Sequence, residues 1–293
     1  MTLAKRAEDA GFDVVCVYHD LLFQPAIFPL LTIAAATERV RLGPAALNPV
    51  TLHPVELAGH AAALDIASGG RAYLGLAAGA WLDRLGLERA PVARMREAVE
   101  IVRRLLAGDR SGFTGSHFTL APGAGFNYAP ERDRIPLMIG TWRPRMAALA
   151  GEVADEVKIG GSANPALVEL MRRWIGNDDV GIVVGAVTVV DEDGDAARER
   201  ARREVEMYLE VVGELDPTIE GPPPLESVTF AGTPEEVAAH ARRLYEAGVK
   251  RVDFGTPQGL TSAQGLTLLC DRVLPLLRVD GTIAQPPSVS PAA

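Results

Sequence analysis

Three stretches decide the fold: AGFDVVCVY at 10–18, AGEVADEVKI at 150–159 and AGVKRVDF at 247–254. In each, a helix-like run ends at an Ala-Gly pair, where glycine supplies the left-handed turn that closes a helix. The short run behind it, rich in β-branched residues, reads as a buried strand. Helix, glycine turn and buried strand, repeated with short connections, predict parallel strands joined by right-handed crossovers. Working outward, strands are expected at 13–18, 40–47, 71–77, 136–140, 155–160, 180–190 and 249–254. Helices are expected at 2–10, 26–38, 54–67, from Pro91 onward, and at 145–150, 164–175, 194–213, 234–247 and 261–277. That count fits an α/β (β/α)8 barrel of the TIM type better than an open sheet. One domain is expected over 1–279, followed by a disordered tail at 280–293 (DGTIAQPPSVSPAA). The Gly-rich segment 108–133 is read as an excursion over the barrel mouth, and the Pro-rich segment 215–227 as a second loop.

The chain has 293 residues, 48% of them hydrophobic and 23% charged, and a net charge of −9. An acidic balance argues against a general nucleic-acid binder, which needs a basic face. No stretch reaches the ~20 uninterrupted apolar residues of a membrane span. The amphipathic start, MTLAKRAE, lacks the apolar core of a signal peptide. The expectation is a cytoplasmic protein with neither nucleic-acid nor membrane partners. Cys16 and Cys270 both sit in apolar runs and are expected to be free thiols. His53, Glu56 and His60 share a helix face without the i, i+4 histidine pair of a metal site, so no metal is expected. Gly75-Leu76-Ala77-Ala78-Gly79 is not a dinucleotide fingerprint.

In such a barrel the site lies at the C-terminal ends of the strands. Those ends here are Tyr18-His19-Asp20, Gly43 to Asn48, Ala77 to Ala80, Gly140-Thr141-Trp142, Gly160-Gly161-Ser162 and Gly255-Thr256. Most are small. Small ends leave room for a large flat ligand and let backbone N–H groups approach it. The N–H groups of 140–142 and 160–162 are expected to converge on one phosphate-sized spot. His19 and Asp20 form an adjacent ionisable pair suited to acid–base work.

The segments 7–20, 41–58, 68–79, 135–161 and 247–255 together resemble the luciferase-like flavin- and coenzyme F420-dependent oxidoreductases, within them the methylenetetrahydromethanopterin reductase-like proteins. The resemblance implies a (β/α)8 barrel, a homodimer, and a deazaflavin bound across the mouth, with a small organic molecule as substrate. It implies a bulge with a cis peptide at Ala45–Ala46, and cofactor contacts at Ala45, Ala46, Asn48, Ala78, Gly79, Ala80, Gly140, Thr141, Trp142, Gly160 and Gly161. The family's Asp-His pair falls on His19 and Asp20 in reversed order, and Ala80 stands where sugar-phosphate-oxidising relatives carry a glutamate. Two alternatives stay open: an FMN-dependent monooxygenase of the same fold, and a non-catalytic flavin-binding relative. The family's opening strand has no counterpart, because Met1 already stands inside the helix that follows it. The expectation is a late start or a truncation that leaves a gap between the strands at 13–18 and 249–254.

Overall fold

A computed structural model describes residues 3–19, 23–279 and 281–283. The chain enters through β1 (Val14–Val17), β2 (Arg41–Pro44) and β3 (Leu74–Ala77). A small antiparallel hairpin follows, β4 (Phe113–Thr114) and β5 (Thr119–Leu120). Then come β6 (Leu137–Gly140), β7 (Glu156–Gly160), β8 (Gly181–Val190), β9 (Thr229–Gly232) and β10 (Arg251–Gly259). The parallel order is β1-β2, then β3-β6-β7-β8-β10. Single bridges at Leu42–Ala72 and Leu47–Leu76 join the two sets into one curved sheet. This is the TIM-barrel arrangement of the luciferase-like fold.

The strand pleat divides the molecule. Leu42, Leu74, Leu76, Ile139, Val157, Ile159, Ile182 and Val184 are buried under the surrounding helices, each contributing ~1.5–3 kcal/mol. The alternate positions face inward, and glycine at three of them makes room for large neighbours. A Cβ on Gly43 would stand 2.5 Å from the Tyr73 ring. One on Gly75 would stand 2.0 Å from the Pro44 carbonyl, and one on Gly185 3.1 Å from Lys158 Cε.

All seven expected strands are present. An eighth parallel strand, β9, escaped the sequence reading because it is four residues long and lies directly behind a Pro-rich loop. It does not fill the expected gap, since it pairs with the outer end of β8, Val187 to Val190. Among the described residues no ladder joins β10 to β1. The two edges meet instead through side chains: the Phe12 and Phe254 rings lie 6.5 Å apart, and Cys16 Sγ lies 3.8 Å from an Asp253 oxygen.

One expectation needs correction. Segment 108–133 does not cross the mouth. It leaves the far end of the helix Val92–Leu106 and returns to the start of β6, both on the N-terminal side of the barrel. Glu97 of that helix accepts the backbone N–H groups of Ser116, His117 and Phe118, and Arg132 clamps Asp65 and the Ala72 carbonyl. The hairpin is therefore strapped to the outer flank. At the start of the expected tail, Gly281 and Ile283 donate to the Arg278 and Leu277 carbonyls. Residues 280 and 284–293 lie outside the described residues. Among those described, no helix is long and apolar enough to cross a membrane.

Candidate active site at the strand ends

At the mouth, Ala77, Gly140 and Gly160 end their strands. A Cβ on Gly160 would meet nothing within 4 Å, and one on Gly140 nothing nearer than 3.5 Å. The two strand ends therefore leave open space toward the mouth. The Ala45–Ala46 peptide is cis, as the resemblance implies, and so is Thr256–Pro257. Ala45 N–H donates to the Val17 carbonyl, which ties the bulge to β1.

The other expected site residues have more definite tasks. Asn48 is buried, and its Oδ1 accepts from Val50 N–H, Thr51 N–H and the Thr51 hydroxyl at 3.0, 2.9 and 3.1 Å. Its oxygen thus builds the loop and is not available to a ligand. Gly79 has φ +102°, and a Cβ there would strike Leu82 at 2.4 Å. Ala78 accepts from Ala90 N–H, and Ala80 is exposed. The expected convergence of backbone donors is only partly built. Thr141 N–H goes to the Lys158 carbonyl and Gly161 N–H to the Gly185 carbonyl, both inside the sheet. Thr141 Oγ1 accepts from Arg143 N–H. Trp142 lays its indole across the neighbouring strand end, with Nε1 2.8 Å from the Gly160 carbonyl.

His19 Nδ1 accepts from Ala26 N–H at 3.1 Å, so the proton of the neutral ring sits on Nε2. This bond holds the loop after β1 against the helix Ile27–Ala36. Asp20, its expected partner, lies outside the described residues.

Sequence reasoning missed two features. The first is an aromatic wall. Trp81 adopts φ +57°, a left-handed conformation rare for a non-glycine residue. Its ring stands 6.0 Å from Tyr208, with the Arg84 guanidinium 4.9 Å above it. The second is an ionic floor inside the barrel. Lys158 Nζ lies 2.7 Å from Asp253, Arg251 bridges Asp253 and Glu156 at 2.8 and 2.7 Å, and Arg41 and Lys250 reach Glu156 at 3.4 Å. Burial alone would raise the Asp253 pKa, but Lys158 and Arg251 outweigh it and hold the carboxyl at about 2. Burial would lower Lys158, and Asp253 reverses that, so its pKa is raised.

Cys16 touches this floor, 3.7 Å from Lys158 Nζ. Burial raises its pKa, and burial pushes Cys270 up to about 11. The thiolate is the reactive form, so neither cysteine should react with a disulfide reagent at pH 8 until the chain unfolds. Rapid labelling of the native protein at either position would contradict these raised thiol pKa values.

A separate groove of about 460 Å³ opens beside the mouth, between residues 163–166, the 218–227 loop and the helix Pro234–Glu246. His240 crosses its base, with Nε2 2.8 Å from the Ala163 carbonyl, and burial lowers its pKa.

The sequence profile of the luciferase-like monooxygenase family matches residues 1–251. The 5,10-methylenetetrahydromethanopterin reductase of Archaeoglobus fulgidus is 31% identical, over 94% of each chain. The F420-dependent glucose-6-phosphate dehydrogenase of Microbacterium testaceum is 28% identical, over 93% of this chain and 91% of its own. The structure of the coenzyme F420 dependent tetrahydromethanopterin reductase of Methanopyrus kandleri superposes with a TM-score of 0.84 at 25% identity, covering 94% of each chain.

Proposed function

Because the chain belongs to the luciferase-like monooxygenase family, we propose that it is an oxidoreductase that passes a hydride between coenzyme F420 and a small organic substrate. One observation carries this reading. Ala77, Gly140 and Gly160 form an open platform of small strand ends above a charged floor, and the residues present fit a flat ring. The F420-dependent relatives support the choice of ring.

The ring supplies the hydride chemistry. The chain supplies position and surroundings. Ala45 and Ala46 support the ring from one side, Ala78 to Ala80 and Asn48 border it, and Gly140, Thr141, Trp142, Gly160 and Gly161 border it from the other. Trp142, Trp81 and Tyr208 cover the mouth and keep water from the reacting face. His19 offers the proton on Nε2, and Asp20 beside it is the second candidate for acid–base work. Without an acid at position 80, oxidation of a sugar phosphate through such a group is disfavoured. The same reading treats 1–279 as one domain of a cytoplasmic homodimer, and sedimentation as a 31.1 kDa monomer would remove the dimer.

Equilibrium titration with F420 and, separately, FMN tests the reading through ring fluorescence. Saturable binding of F420 alone supports it. Preference for FMN moves the reading to an FMN monooxygenase, and binding of neither overturns it. Thr141→Glu, which sets a carboxylate at the end of β6, should weaken binding at least tenfold, or ~1.4 kcal/mol. Unchanged affinity would place the ring away from this strand end.

A further inference from the structure

We propose that the groove between residues 163–166, the 218–227 loop and the helix Pro234–Glu246 is a second binding site, and that it takes a small protonated amine whose N–H groups meet His240 Nδ1 and the Glu226 carboxylate. The inference goes beyond the proposed function and does not depend on it.

The base of the groove is held rigidly. Ala163 is fixed from two sides: its N–H donates to the Ser227 carbonyl at 2.7 Å, and its carbonyl accepts from His240 Nε2 at 2.8 Å. A carbonyl can only accept, so the ring proton sits on Nε2 and Nδ1 keeps its lone pair. His240 is 7% exposed, and Nδ1 has no hydrogen-bond partner among the described residues. Burial, the largest influence on the ring, lowers its pKa below the ordinary histidine value, so the ring is neutral at pH 7 and Nδ1 remains an acceptor. A nitrogen of this kind in the lining of a groove of about 460 Å³ is open to a donor from outside the chain.

The side-chain donors around it are spent. Asn164 gives Nδ2 to Asp216 and Thr218 at 2.9 and 2.8 Å. The Thr218 hydroxyl goes to Asp216 at 2.6 Å, and the Ser227 hydroxyl to the Pro224 carbonyl at 2.7 Å. Glu220, Glu226 and Arg243 complete the polar lining, and none of the three has an ion pair among the described residues. Arg243 and Glu226 both lie close enough for their charges to act on the His240 ring. Two carboxylates against one guanidinium leave the lining with one negative charge in excess. Acceptors at the base and a negative balance at the rim match a ligand that brings donors and positive charge together. An ammonium brings three N–H groups and one charge. Pro165, Pro222 and Pro224 offer aliphatic surface to the carbon chain behind it.

The probe is n-butylammonium, followed at pH 7 through the ring-nitrogen resonances of the five histidines. It should shift His240 Nδ1 saturably, with a dissociation constant of about 10 mM or tighter, and leave the other rings in place. n-Butyltrimethylammonium keeps the charge and the chain but has no N–H, and should bind at least tenfold more weakly. The variants are read through the probe's own proton resonances. Glu226→Gln, at an exposed position without an ion pair, should weaken n-butylammonium at least threefold. His240→Gln, whose amide can still donate to the Ala163 carbonyl, should weaken it at least tenfold. If that variant does not fold, Glu226→Gln and the quaternary ion decide. No saturation by about 100 mM, equal affinity for the quaternary ion, or unchanged affinity in Glu226→Gln overturns the proposal. No F420 is present in these titrations, so this site and the proposed function stand or fall separately.

Discussion

Gly160→Phe should abolish ring binding and leave the unfolding transition in place. Gly160 follows Lys158 and Glu156 at alternate positions of β7, so its substituent points into the barrel mouth. The residue is exposed, its φ is not in the left-handed region, and an added Cβ meets nothing within 4 Å. The fold therefore tolerates a side chain there, while a phenyl ring would stand where the proposed cofactor lies. A loss of at least a hundredfold in F420 affinity is expected, or ~2.7 kcal/mol. Gly75→Ala is the control of opposite kind. Its Cβ would stand 2.0 Å from the Pro44 carbonyl, so the backbone itself must move. That variant should fail to fold, or lose ~3 kcal/mol or more. Thermal unfolding and F420 titration of both variants separate the two effects. If Gly160→Phe binds F420 as well as wild type does, the ring does not lie over β7, and the groove beside His240 becomes the place to look.

The two glycines also show what a sequence can and cannot reveal. The barrel was legible because Gly11 and Gly248 close helices in front of valine-dense strands, whereas the helix at Gly151 runs on to Val153 and turns without it. The platform was legible too, since strand ends that are nearly all Ala or Gly serve packing poorly. The charged floor was printed in the same stretches that gave the fold. Lys158 interrupts DEVKI and Asp253 interrupts VKRVDF, and a charge inside a strand buried on both faces needs a partner. What the sequence could not supply was the pairing, because the two residues are 95 positions apart. Trp81 gave no signal, since its meaning depends on Tyr208 across the mouth. Asn48 shows the same limit, since the sequence does not reveal that its oxygen accepts three local bonds. Segment 108–133 misled because glycine content marks an irregular loop and not the side of the barrel on which it lies. The contacts of Phe118 decide that, since its ring packs on His53 and Arg94 at the mouth-side starts of two helices and keeps the hairpin on the outer flank.

The edge beside the seam rests on Glu8, and Glu8→Ala should destabilise the chain by ~3 kcal/mol. Glu8 is 1% exposed. Its Oε1 accepts the backbone N–H groups of Glu38, Arg39 and Val40 at 2.9, 2.6 and 3.1 Å, and Lys5 donates to Oε2 at 3.0 Å. These three amides form the turn that feeds β2, and β2 is the strand that β1 pairs with. One carboxylate thus fixes the first helix to the entry of the second strand, and removing it leaves three backbone donors without an acceptor. Burial alone would raise the Glu8 pKa. The backbone donors, Arg39 and Val40 foremost, outweigh it and bring the carboxyl down to about 2. An unfolded glutamate titrates near ~4.3, so the gap of ~2 units is worth roughly 3 kcal/mol. The sign follows from the depressed value. The contribution is complete above the unfolded pKa, and it is lost as pH falls from there through about 2. Urea unfolding of wild type and Glu8→Gln at neutral pH and again near pH 2.5 checks this. At neutral pH the wild type should be the more stable by most of that amount, since the amide is a weaker acceptor and turns an N–H toward Lys5. Near pH 2.5 the difference should shrink sharply, because protonation is then removing the charge that the substitution removes. A difference that stays constant between the two conditions would mean that Glu8 acts through its shape alone, and that the charge on its three amide bonds contributes nothing to the edge.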